Sequence, residues 1–97
     1  MSNELKLYKL LIEKNNYGVN YVDEMGWVSD DEFCVWISYI WIYDFIKELK
    51  DIFGLGIFDD GGFDANMQDN CMCIDLCKAI GYSIDIENVF PKDKYQH

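Results

Sequence analysis

Arginine is absent from this chain, and its only histidine is His97. Eight lysines face eighteen acids, for a net charge of −10. Affinity for DNA or RNA comes mainly from Lys and Arg displacing counterions, so this balance disfavours direct nucleic-acid binding and adhesion to an anionic membrane. Also missing are a G-x-S-x-G elbow, a phosphate loop and an H-E-x-x-H helix, which removes the usual nucleophile and metalloprotease systems. The expectation is a protein that is not an enzyme and needs no cofactor. No apolar run is long enough to span a bilayer, because the longest is broken by Asp44, Lys47 and Glu48. With no basic-plus-apolar leader pattern, a cytoplasmic location is expected. There the four cysteines read as free thiols rather than a disulfide frame.

What the chain has is aromatic and acidic. Three Trp, seven Tyr and six Phe in 97 residues supply enough contact area for one folded domain. The stretch Ser29–Phe53 holds most of the apolar weight. From Phe33 to Tyr43 it is β-branched or aromatic almost throughout, which favours a buried strand; Ile42, Phe45, Ile46, Leu49, Ile52 and Phe53 then recur at helical spacing. The pattern predicts a strand near Phe33–Tyr39 running into a helix near Trp41–Phe53, with Gly54 as a left-handed cap. One continuous helix from Asp30 is the alternative. Ser29 and Glu32 have capping-box spacing, which marks a helix start and gives Asp30, Asp31 and Glu32 a structural role at its first turn.

Elsewhere, Leu5, Tyr8, Leu11 and Ile12 predict a first helix near Asn3–Lys14, with Asn15–Asn16 as its stop, while the alternation of Leu5 and Leu7 offers a strand as the alternative. Tyr17–Val28 reads as a strand or an irregular arm. A hairpin is expected from Phe63–Gln68 and Cys71–Ile74 across Asp69–Asn70, a pair able to take positive φ. Asp75–Ile80 closes on Gly81, a short helix runs from Asp85 to Phe90, and Pro91 ends it. The polar tail Lys92–His97 is expected to fray. These elements make an α+β fold: a short antiparallel sheet packed against a central amphipathic helix and short C-terminal helices.

Two metal readings are weighed and set aside. Cys71, Cys73 and Cys77, with Cys34 distant, lack paired zinc knuckles and read as small buried hydrophobes. Asp59, Asp60, Asp64, Asn66 and Asp69 lack the EF-hand register. The charge is more informative. Between Asn15 and Cys77 there are thirteen acids and two lysines. The candidate partner-binding residues are therefore Asp23, Glu24, Asp30, Asp31 and Glu32 with Asp59, Asp60, Asp64 and Asp69. Of these, Asp59 and Asp60 stand in a glycine-flanked turn between Phe58 and Phe63.

The run Asp75–Phe90, with Lys78-Ala79, Ser83, Asp85 and Phe90, resembles the last two helices of Cro/repressor-type helix-turn-helix domains. It covers about a sixth of the chain, without an upstream recognition helix, and implies only a shared way of packing two short helices. In overall type, the size, acidity, aromatic density and lack of catalytic motifs resemble the small anti-CRISPR and antirestriction proteins of phages and mobile elements. That resemblance implies a stoichiometric inhibitor, a DNA mimic whose carboxylates stand where phosphates would, docked on the basic surface of a CRISPR or restriction nuclease. The rival expectation is a homo-oligomeric or regulatory interaction module that uses Trp36 or Trp41.

Overall fold

The computed structural model describes residues 1–13, 21–58, 63–68, 70–81 and 83–96, with backbone alone for 63–68. Its centre is an antiparallel sheet of four strands: β1 (Val22–Ser29), β2 (Glu32–Ser38), β3 (Phe63–Gln68) and β4 (Cys71–Asp75), in the order β1-β2-β4-β3. Two hairpins, β1–β2 and β3–β4, thus join through their second strands. The helices are α1 (Asn3–Tyr8), α2 (Ile42–Phe53), α3 (Leu76–Ile80) and α4 (Ile86–Val89). The fold is α+β, with the short sheet and central helix expected from the sequence.

Strand alternation decides which side is core. Phe33, Val35 and Ile37 of β2 and Ile74 of β4 are fully buried on one face, and with Met72 they join Phe45 and Leu49 of α2 and Leu7 of α1 in one cluster. The register sets Cys34 against Asp75 and Trp36 against Cys73, so these four share the other face. The predicted switch inside the central stretch is present. After Ser38 the chain makes one tight turn of helix, Tyr39–Trp41, and continues as α2, whose Ile42, Phe45 and Leu49 meet the sheet at i, i+3 and i+7.

The predicted hairpin also forms, between Phe63–Gln68 and Cys71–Asp75, with Asn70 at φ 63°, a left-handed conformation that Asn tolerates better than most residues. Asp75 caps α3 by accepting from the Cys77 N–H, Asp85 caps α4 by accepting from the Glu87 N–H, and Gly81 takes φ 65° where α3 stops.

Four expectations need correction. Ser29–Glu32 opens no helix: it is the turn between β1 and β2, where Ser29 pairs with Glu32 across the hairpin. The Ser29 hydroxyl lies 2.9 Å from Asp31 Oδ1 and 3.1 Å from Glu32 Oε1 and shares its proton between them. The same hydroxyl-and-carboxylate spacing serves a hairpin turn because pairing of Trp27 with Phe33 outweighs a local helical preference. Secondly, of the predicted face Leu11 is buried and Ile12 packs on the core, but Leu5 and Tyr8 are exposed and Leu7 and Leu10 are buried instead; the helix widens over Lys9–Glu13 into a π-helical turn, and Lys14 and the predicted stop at Asn15–Asn16 lie outside the described residues. Thirdly, Gly54 does take positive φ and bonds back to the Lys50 carbonyl, but at φ 110° and ψ 164° it leaves the helix in an extended rather than a left-handed helical conformation.

The fourth concerns the tail. Residues 92–96 turn back onto the sheet edge: the Tyr95 carbonyl accepts from the Trp27 backbone N–H at 2.6 Å, and Gln96 makes a parallel bridge to Trp27. The Tyr95 ring meets Phe90 edge-on at 5.2 Å and Phe33 at 6.5 Å. Polarity alone hid this, because one aromatic outweighs several lysines and acids when a ring cluster is waiting for it. Ending the chain at Pro91 is therefore expected to cost about 2 kcal/mol, read as a lower urea midpoint; an unchanged midpoint would show that the segment only rests on the surface.

Candidate protein-interaction surface

The first link is an aromatic one. Phe33 and Phe90 stack at 5.0 Å, Trp27 meets Phe33 edge-on at 5.2 Å, and the Trp27 indole N–H donates to the Phe90 carbonyl at 2.8 Å in the interior. This ties the first hairpin to the end of α4. Asp30, Asp31 and Glu32 lie just beyond Trp27 on the hairpin turn, while Asp85 and Glu87 lie just before Phe90, so the knot brings two acidic segments face to face.

Between them is a groove of about 770 Å³. The hairpin turn forms one wall with Asp30, Asp31 and Glu32. Asp85, Ile86 and Glu87 form the other, and the buried Trp27 and half-buried Cys77 also line it. All five carboxylates are on exposed residues. Two lysines answer them. Lys78 lines the α3 side, and the Lys92 ammonium sits 4.9 Å from the centre of the Trp27 ring and 3.7 Å from Glu87 Oε2. With five carboxylates and two lysines, the lining keeps a net excess of three negative charges.

Not all the acids singled out in the sequence gather here. Asp23 and Glu24 are exposed but lie at the far end of β1, roughly 20 Å from Asp30 at about 3.3 Å per residue. Asp64 pairs by register with Cys73 on the outer hairpin. Asp59, Asp60 and Asp69, including the glycine-flanked turn, lie outside the described residues. Conversely, Asp85 and Glu87 were not singled out: the sequence marks Asp85 only as a helix start, and nothing local announces that α4 would face the first hairpin.

The cysteines behave as packing groups. Cys34, distant in sequence, lies within hydrogen-bond reach of Cys73 across β2 and β4, and burial followed by that neighbour pushes its thiol up to about 12. It stays protonated and unreactive at neutral pH. Burial likewise raises Cys77, against the lowering effect of a backbone bond at Phe33. Among the described residues no group of three His, Cys, Asp or Glu could hold a metal ion, and no helix is long and apolar enough to cross a membrane. No family model, no curated protein and no solved structure matches the chain.

Asp75 is the one buried acid in the described core. Burial raises its carboxyl above the ordinary carboxylate range; Glu32 adds to the rise, while the Cys77 N–H and Lys78 oppose it. The folded chain thus holds this proton more tightly than the unfolded one. Its contribution to stability is full below about pH 4 and is lost as pH rises through the raised folded value. Asp75→Asn keeps an oxygen for the Cys77 N–H and removes the buried charge. It is expected to stabilise the protein on the order of 1 kcal/mol at neutral pH and to gain nothing in acid, measured by urea unfolding at both; equal effects at the two pH values would contradict the assignment.

Proposed function

We propose that this protein is a non-catalytic, stoichiometric inhibitor that docks its carboxylates on the cationic nucleic-acid-binding surface of a defence nuclease, in the manner of anti-CRISPR and antirestriction proteins. The observation that carries the reading is the gathering of acids from two distant segments, 30–32 and 85–87, around one groove fixed by a buried aromatic knot. Fixed carboxylates compete well for a phosphate-binding surface, because complementary fields speed encounter and a rigid mimic does not pay the bending cost of DNA.

A second reading has its own support. Tyr39, Ile40 and Tyr43 are 49, 76 and 80 % exposed side by side at the start of α2, an apolar patch suited to a protein interface. Trp36 and Trp41, the earlier candidates, are only partly exposed. On this reading the chain is a homo-oligomeric or regulatory module, and its mass in solution would exceed a monomer's until Ile40→Asp breaks the contact.

Displacement of labelled duplex DNA from a panel of CRISPR and restriction nucleases, read by fluorescence anisotropy, tests the first reading. Displacement should weaken as salt rises, since exposed charges are screened beyond about 8 Å at physiological ionic strength. The double change Asp31→Lys and Glu32→Lys should reduce it at least about tenfold. Because these acids accept only the exposed Ser29 hydroxyl in the hairpin turn, stability should fall by no more than about 1 kcal/mol. Displacement indifferent to both salt and charge reversal would refute electrostatic mimicry.

A further inference from the structure

The groove holds an internal cation, and that feature says what an external occupant must look like. The Lys92 stem reaches from the segment after Pro91 to place its ammonium over the face of Trp27 and beside Glu87. Trp is the most favourable of the aromatic faces for a cation, and the ring is otherwise buried, at 6 % exposure. Opposite, Asp30, Asp31 and Glu32 have no lysine on their own hairpin turn to answer them. Lys92 is only partly buried and its partner Glu87 is half exposed, so this internal contact is weak enough to be exchanged.

We infer that the groove between the first hairpin turn and α4 is the docking site for an arginine-bearing segment of the partner protein, and that Lys92 is its internal stand-in. The inference deepens the proposed function and rests on it for the identity of the biological partner. The chemistry favours arginine over lysine. A guanidinium can lie flat on the Trp27 ring as Lys92 leaves and fork to carboxylates of either wall, whereas an ammonium offers a point charge. The volume, about 770 Å³, lies within the roughly 300–1,000 Å³ of ordinary ligand sites. An extended segment with one or two arginines is the occupant that matches both the Trp27 ring and the walls.

The test uses the full chain, labelled with nitrogen-15 and titrated with hexa-arginine peptide and, separately, hexa-lysine at near-physiological salt. The expected result is saturable shifts of the Trp27 indole N–H and of the amides of 30–32 and 85–87, tighter for arginine. The double change Asp31→Asn and Glu87→Gln should weaken binding roughly fivefold. The sharpest comparison is Lys92→Gln against Lys94→Gln. Both remove one positive charge, but Lys94 is exposed and outside the groove, so Lys92→Gln should tighten arginine binding roughly threefold more. Shifts centred elsewhere, or two lysine variants that act alike, overturn the inference. A chain that displaces DNA from a nuclease yet fails this titration loses the groove and keeps the proposed function. One that passes the titration but displaces DNA from no nuclease keeps the groove and loses that function.

Discussion

The stack of Phe33 on Phe90, locked by the Trp27 indole bond to the Phe90 carbonyl, is the contact on which the rest of the surface depends. It joins the turn end of the first hairpin to the end of α4 across 63 positions of sequence. Tyr95 closes the cluster from the C-terminal side and Tyr8 stacks on Phe90 from the first helix, at 6.1 Å. Everything acidic in the groove is within a few residues of this knot. The carboxylates are therefore held at fixed separations before any partner arrives, which reduces the ordering cost of binding.

Electrostatics and packing are separated along β2. The strand begins at the acidic turn with Glu32 and ends at Ser38, where the exposed Tyr39, Ile40 and Tyr43 begin. At about 3.3 Å per residue the two surfaces lie roughly 20 Å apart. They can serve different contacts without competing. A net charge of −10 on 97 residues also opposes compaction through self-repulsion. Keeping the groove carboxylates exposed limits that cost, and Asp75, the one buried acid among the described residues, is pushed toward its neutral form.

Much of this architecture was legible locally. The change from β-branched residues to helical spacing located the passage from β2 into α2, and Asn70 marked the second hairpin because few residues accept positive φ. What the sequence hid was non-local. Ser29 and Glu32 offer the same hydrogen-bonding groups to a helix start and to a hairpin turn, and only the pairing of Trp27 with Phe33 decides between them. Tyr95 read as part of a polar tail because its ring partners are distant in sequence. For the same reason Asp85 and Glu87 did not appear beside Asp31, nor Cys34 beside Cys73: charge counted along the chain carries no information about which segments fold together.

The most direct measurement is amide hydrogen exchange of the chain, free and mixed with any nuclease from which it displaces DNA. The account predicts new protection in two separated segments, 27–32 and 85–92, with 39–43 unchanged. Protection confined to 39–43, with the hairpin turn and α4 exchanging as in the free chain, would contradict it.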